Sequence, residues 1–267
     1  MGIDAFRYDG KRALVIGAAT GMGAATAKLV ADLGADVIAL DVAEISYPVK
    51  QAIAIDLTDR ASVDAALAQI EGEIHAVFCC AGVADGTPNI MAINFISQRH
   101  LLERLIERGS LPRGAAVVMI SSVAGLGWQQ DIPRLTEFLQ QSSWEEAAAW
   151  IASHEGTDTY IFSKQAMNTY VAREAFAFLK RGLRINAIEP GPTDTPLARA
   201  NADVWLAFAQ EYRDEAGVSH LSPEQMADTL VYLCSDAASG INGISILVDQ
   251  GHIASSTAGT VAPPQLG

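Results

Sequence analysis

Tyr160 and Lys164 stand four residues apart in a stretch with helical spacing, so their side chains share one face. A phenol with a pKa of about 10 is a poor base at neutral pH, and an ammonium beside it stabilises the phenolate. Such a pair can move a proton on or off an alcohol oxygen. Ser121 and Ser122 close an apolar run, where a hydroxyl can donate to the same oxygen. Asn94, polar between Ile93 and Phe95 near the start of another helical pattern, can hold a water against the lysine. A tyrosine and lysine at this spacing also suit a plain surface helix, so the pair needs companions.

Those companions are residues suited to a dinucleotide. Gly17-Ala18-Ala19-Thr20-Gly21-Met22-Gly23 lies between an apolar run and an alanine-rich helical pattern. Glycines there let the chain turn sharply and bring backbone N–H groups to a pyrophosphate at a helix N-terminus. Asp41 closes the next apolar run, where a carboxylate accepts from ribose hydroxyls and repels a 2'-phosphate. No basic residue follows until Lys50 and Thr20 is uncharged, so NAD is expected rather than NADP. Asp56 and Leu57 follow the third run, with Asp56 placed either to receive an adenine amino group or to lead into the next helix. Cys80-Ala81-Gly82 follows the fourth run and lets a ribose lie close, while Pro190, Gly191, Thr193 and Thr195 form a stiff turn whose hydroxyls can face a carboxamide.

These residues fall at the ends of short apolar runs that alternate with longer helical patterns. Strands are expected at 13–16, 37–40, 52–55, 76–80, 115–120, 184–188 and 245–248, and helices at 24–33, 62–70, 90–108, 160–180 and 223–233. The alternation predicts an α/β fold: one Rossmann domain over 1–267, with a seven-stranded parallel sheet and helices on both faces. The stretch between the serines and Tyr160 is longer than a connection needs. Within it, 132–139 and 144–151 have helical spacing, with Ser143 placed as an N-cap, so an inserted helical hairpin is expected over about 126–157. A lid is expected over about 193–221, and an irregular tail over about 255–267 with Pro263 and Pro264.

Composition excludes several functions. The 31 acidic and 18 basic residues leave a net charge of −13, which disfavours nucleic acid and anionic membrane surfaces. The cysteines Cys79, Cys80 and Cys234 offer neither a disulfide framework nor zinc spacing, so no metal is expected. Charges at Asp4, Arg7, Asp9, Lys11 and Arg12 leave no signal-peptide run, and no later run is long enough to span a bilayer. A cytoplasmic protein is the expectation.

The motifs GAATGMG at Gly17, CAG at Cys80, ISS at Ile120, YIFSK at Tyr160, EPGPTDTP at Glu189 and VDQG at Val248 stand in an order that resembles the classical short-chain dehydrogenase/reductase family. The resemblance spans residues 11–252 and implies a tetrad: Tyr160 as acid/base, Ser122 on the substrate oxygen, Lys164 lowering the tyrosine pKa, and Asn94 anchoring a relay water. Tyr160 and Lys164 would also contact the nicotinamide ribose, and the long helices and last strand imply a homo-oligomer, dimer or tetramer. Ile16 stands in place of a threonine, Cys79-Cys80 in place of paired asparagines, and Gln250 where the family commonly has glycine.

An insert before the tyrosine helix resembles the branch holding 3-alpha-hydroxysteroid dehydrogenase/carbonyl reductases and coniferyl-alcohol dehydrogenases. All four tryptophans, Trp128, Trp144, Trp150 and Trp205, lie in the insert and the lid, and segments 126–157 and 199–228 hold eight of the thirteen net negative charges. Trp128, Trp150 and Trp205 are therefore candidate contacts to a flat, apolar, non-anionic small-molecule alcohol or ketone, although tryptophans can equally pin a hairpin to the body. The expectation is an NAD-dependent oxidoreductase acting on a bulky secondary or aromatic alcohol. An NADPH-dependent carbonyl reductase and a catalytically silent NAD-sensing protein remain as alternatives.

Overall fold

A computed structural model describes residues 2–262. Seven strands, β1 (Arg12–Ile16), β2 (Asp36–Asp41), β3 (Gln51–Ala54), β4 (Ala76–Cys79), β5 (Ala116–Ile120), β6 (Arg184–Pro190) and β7 (Ser245–Val248), form one sheet in the order β3-β2-β1-β4-β5-β6-β7. Every pairing is parallel. Parallel strands sandwiched between helices bury both faces, which is why β4 and β5 read as unbroken apolar runs rather than alternating ones, while β6 is buried throughout although it carries Arg184, Asn186 and Glu189. All carboxyl ends share one edge, and the strand order reverses between β1 and β4, the place where such sheets bind ligands.

Helices α1 (Gly21–Asp32), α2 (Arg60–Ala68) and α3 (Ser97–Glu107) follow β1, β3 and β4, and α3 is preceded by a π-helical turn over Ala92–Ile96. The continuous helix expected over 90–108 is thus interrupted, and Asn94 sits inside the interruption. After β5 come α4 (Ile132–Leu139) and α5 (Trp144–Ser153), the inserted hairpin, and then α6 (Tyr160–Arg181). The segment expected to form a lid contains the short helices α7 (Pro196–Ala200), α8 (Ala202–Trp205) and α9 (Gln210–Ala216), followed by α10 (Pro223–Cys234). The tail expected to be irregular begins helically, in α11 (His252–Thr257), where Asp249 accepts from the N–H groups of Gly251 and Ile253; Pro263 and Pro264 lie outside the described residues.

The hairpin is built as its sequence implies. Ser143 accepts from the Glu146 N–H at 3.2 Å and Glu146 accepts from the Ser143 N–H at 3.2 Å, a reciprocal capping box. Its inner face carries Phe138, which meets Phe95, Trp150 and Phe162 at ring separations of 5.7, 5.3 and 5.6 Å. Trp150 is 7% exposed, stacks on Phe162 and donates its indole N–H to Glu137 at 3.0 Å. This corrects the expectation that Trp150 meets the substrate: it is a core side chain that fixes the hairpin on α6. Trp144 meets the edge of His100 on α3, and Trp128 packs, partly buried, against the same core.

Among the described residues no helix is long and apolar enough to cross a membrane, and no cluster of three or more His, Cys, Asp or Glu could hold a metal ion.

Candidate active site

The glycine turn is positioned by β1. Gly17 has a positive φ of 81°, and a side chain there would lie 2.5 Å from the Ala81 backbone, so the turn and the loop after β4 approach as closely as two backbones can. A Cβ on Gly23 would collide with the Gly17 carbonyl oxygen. Thr20 caps α1 without a side-chain hydrogen bond, which leaves the first-turn amides of Gly21, Met22 and Gly23 facing outward. The room left by the absent side chains, above the positive end of α1, fits a dinucleotide pyrophosphate.

Asp41 ends β2 beside this turn. Its carboxylate accepts from Ala19 N–H at 2.8 Å and from Ala43 N–H at 3.0 Å, so it braces the turn and keeps lone pairs for ribose hydroxyls. Tyr47 donates to the Ala18 carbonyl at 2.5 Å from the other side. Asp56 is exposed, and its carboxylate accepts from the Thr58 N–H and hydroxyl, which hold it below the usual carboxylate range. Those bonds belong to the turn into α2, while Leu57 points into the core. Cys80 lies under Gly23, and Gly82 faces the Lys164 ammonium and the Asn94 amide.

At the far side, Gly191 has no room for a side chain because Asp249 would lie 2.9 Å away. Pro190 ends β6, the Thr193 hydroxyl donates to the Gly191 carbonyl at 2.9 Å, and the Thr195 hydroxyl caps α7 by accepting from Ala198 N–H at 3.1 Å. The Thr195 methyl reaches to within 3.5 Å of where a Gly21 Cβ would stand, so the two ends of the cleft meet.

Tyr160 is the first residue of α6, and its backbone N–H donates to Asp85 at 2.7 Å. One turn on, Lys164 is buried, donates to the Ile120 carbonyl at 2.7 Å and lies 5.3 Å from the Tyr160 ring. Ser121 is occupied by the Lys164 carbonyl at 3.1 Å, whereas Ser122 caps the Val123–Gly125 turn and stands beside the phenol. Burial pushes the Tyr160 phenol up to about 12, against the pull of the Ser122 hydroxyl, with the Asp85 charge adding to the rise. Burial also brings Lys164 down to about 8. In the protein alone desolvation outweighs the pull of the Ser122 hydroxyl, so the phenol is raised, where the resemblance implied a lowering by Lys164.

Asn94 uses its amide on Val83, accepting at 2.8 Å and donating at 3.1 Å, and donates to Ser163 at 3.1 Å. The sequence reading missed Ser163, Gln98 and Asp85. Gln98 donates to the carbonyls of Ala81, Ile93 and Asn94, each at 3.0 Å, and ties the loop after β4 to the π-helical turn. Ser163 could have been found inside YIFSK; no local pattern marks Asp85.

Of the four tryptophans, Trp205 alone pairs with Tyr160 among the described aromatic contacts, at 4.8 Å between ring centres. The lid that carries it is knitted by Arg213, a buried guanidinium that donates to the carbonyls of Leu206 and Phe208 at 2.5 and 2.6 Å. Tyr212 donates to the Gln250 carbonyl at 2.9 Å and so ties the lid to the loop after β7. Gln250 has a φ of 58°, in the left-handed region, which gives a physical reason for glycine being common there.

Two family models match the chain, one described as enoyl-(acyl carrier protein) reductase over residues 146–252 and one as NAD dependent epimerase/dehydratase family over residues 13–176. The chain is 30% identical to cis-4-hydroxycyclohexanecarboxylate dehydrogenase of Sinomonas cyclohexanicum, across 91% of this chain and 96% of the relative. This protein belongs to the classical short-chain dehydrogenase/reductase family. It is 26% identical to the family's coniferyl-alcohol dehydrogenase of Pseudomonas sp. strain HR199, over 90% of this chain and 96% of the relative. The short-chain dehydrogenase/reductase fold is shared with the NADH complex of 3-alpha-hydroxysteroid dehydrogenase from Pseudomonas sp. B-0831, with a TM-score of 0.75, 24% identity, and coverage of 94% of this chain and 100% of that one. Membership makes it a nicotinamide-dependent oxidoreductase of small molecules.

Proposed function

We propose that the protein is an NAD-dependent dehydrogenase that interconverts a bulky apolar secondary or aromatic alcohol and its carbonyl. The observation that carries this reading is the Trp205 ring set on the Tyr160 phenol at 4.8 Å. A substrate that brings its oxygen to Tyr160 must slide along an indole face, which favours a flat, apolar body. The names of its relatives agree: a hydroxycyclohexane carboxylate, coniferyl alcohol and a hydroxysteroid each present a ring.

When bound, the nicotinamide supplies the hydride acceptor or donor. The chain's residues handle the rest. In oxidation, Tyr160 takes the alcohol proton, Ser122 donates to the substrate oxygen, and Lys164 stabilises the phenolate. Asn94 holds the segment after Gly82 against α6, beside the lysine. Asp41 supports NAD over NADP, since a 2'-phosphate would meet a carboxylate and no basic residue follows it before Lys50.

Initial rates with cyclic, steroid and aryl alcohols and both oxidised cofactors test the proposal. NAD reduction is expected with at least one of them; no turnover across the panel overturns it. Trp205→Ala is expected to raise the KM for the alcohol by about tenfold and leave that for NAD unchanged. An unchanged alcohol KM would remove Trp205 from the pocket.

A homo-oligomer, dimer or tetramer, is part of the proposal. The hairpin covers the first half of α6, and Phe176 and Leu179 remain 69% and 57% exposed on its second half. Sedimentation as a monomer at micromolar concentration would overturn that part.

A further inference from the structure

Glu189 is a buried carboxyl that the reaction as described does not use. It is 4% exposed and is the penultimate residue of β6, just before Pro190 and Gly191. Because Ile120 pairs with Ile188, the next residues, Ser121 and Glu189, lie side by side at the carboxyl edge. Its oxygen accepts from the Asn168 amide at 2.6 Å, and Asn168 spends the same nitrogen on the Gly125 carbonyl at 3.2 Å. The Asn168 oxygen accepts from the Ser245 hydroxyl at 3.1 Å, so the amide cannot rotate freely. Gly125 in turn donates to the Ser122 carbonyl at 2.8 Å, and the Ser122 hydroxyl accepts from Ala124 N–H at 3.1 Å. A contiguous chain of hydrogen bonds therefore runs from Glu189 to Ser122. The packing is tight: a Cβ on Gly125 would lie 2.7 Å from the Asn168 amide and 3.0 Å from the Ser121 hydroxyl.

We propose that Glu189 is a positioning residue, acting through Asn168 and the Val123–Gly125 turn on the placement of Ser122, so that the charge it carries alters how the substrate oxygen is held. The inference rests on the reading of Ser122 as the donor to that oxygen. From α6 the carboxyl faces Asn168, which Ser245 of β7 holds in turn, its register partner on β7 is Leu247, and the charged group bearing on it is Asp249 beyond β7. Burial and Asp249 push the Glu189 carboxyl up to about 7, against the pull of Asn168. A neutral Glu189 shares the Asn168 amide with Gly125. An ionised one accepts more strongly, draws the amide toward itself and weakens the longer bond to Gly125.

The sign follows from the raised pKa. Between the unfolded value and about 7 the folded chain holds a proton that the unfolded chain has lost, so this group's contribution to stability falls as pH rises through that window. Glu189→Gln keeps an acceptor for Asn168 and cannot ionise.

The test compares wild type and Glu189→Gln at roughly pH 5 to 9 in alcohol oxidation, NADH fluorescence titration and thermal unfolding. The ratio of kcat/KM, variant over wild type, is expected to rise about three- to tenfold as pH crosses neutrality, with NADH affinity equal in both. The melting temperature of the variant relative to wild type is expected to rise from the acid end of that range to about 7 and to level off above it. Glu189→Ala, which leaves Asn168 without its acceptor, is expected to lose rate at every pH. Parallel pH profiles for wild type and Glu189→Gln overturn the inference while the dehydrogenase reading stands. A wild type that binds NADH yet turns over no alcohol overturns the reading itself and this inference with it.

Discussion

Tyr160→Phe is expected to lower kcat for alcohol oxidation by about 10²- to 10⁴-fold while NADH affinity stays within about threefold. The substitution deletes one hydroxyl. The ring keeps its place at the start of α6, held by the Asp85 bond to its backbone N–H and by the face of Trp205. Lys164 keeps its bond to the Ile120 carbonyl, so the lysine is not released to distort the cofactor's end of the cleft. What is lost is the group that takes the proton. In the protein alone the phenol is held up to about 12, too high for a base at neutral pH. The oxidised nicotinamide carries a positive charge, which together with the lysine would favour the phenolate. Wild-type oxidation is accordingly expected to rise with pH, and the variant's residual rate to lack that rise. Stopped-flow or steady-state rates measure both; a variant that keeps more than about a tenth of the activity would falsify the acid/base role.

Asp41→Ser combined with Val42→Arg is expected to turn the cofactor preference toward NADP, changing the ratio of kcat/KM values for NADP and NAD by about 10²- to 10⁴-fold. The carboxylate repels a 2'-phosphate, and the substitution removes that repulsion. Val42 is 76% exposed beside it, so a guanidinium there can reach the phosphate without displacing the core. The same carboxylate braces Ala19 and Ala43, so the double variant is expected to lose some stability as well. Steady-state rates with both cofactors decide the matter. A wild type that already prefers NADP, or a double variant with an unchanged ratio, would remove Asp41 as the discriminating residue.

The fold was legible because parallel strands bury both faces and read as apolar runs, and because Gly17, Gly23 and Gly191 stand where a Cβ cannot fit. The tetrad candidates could be named in the same way, with Ser122 falling just past a strand end and Tyr160 and Lys164 on one helical face, while Asn94 lies in the π-helical turn before α3. The tryptophans were not separable by type. Trp150 and Trp205 both lie in acidic helical segments, yet Ala147, Trp150 and Ile151 share the face that α5 turns to Phe138 and Phe162, and that spacing is the signal that places Trp150 inside. Asp85, Gln98 and Asn168 act through partners distant in sequence, so no local spacing announces them. The helical start of the tail escaped the reading because Ser255, Ser256 and Thr257 have weak helix propensity and Asp249, which precedes them, supplies the cap.

The aromatic anchoring of the hairpin divides the labour between the two sides of the cleft. To swing away, α4 and α5 would have to pull Phe138 and Trp150 off Phe95 and Phe162, exposing the interior that also holds α6. Such an opening is close to unfolding, and its population is correspondingly small. The 196–217 segment is held to the body by the Tyr212 bond to Gln250 and by the rings of Trp205, Phe208 and Tyr212 against Tyr160 and His252, while Arg213 bonds within the segment itself. The expectation is therefore one jamb and one door, with the hairpin as the fixed wall of the cleft and the segment carrying Trp205 as the side that gives way to a ligand.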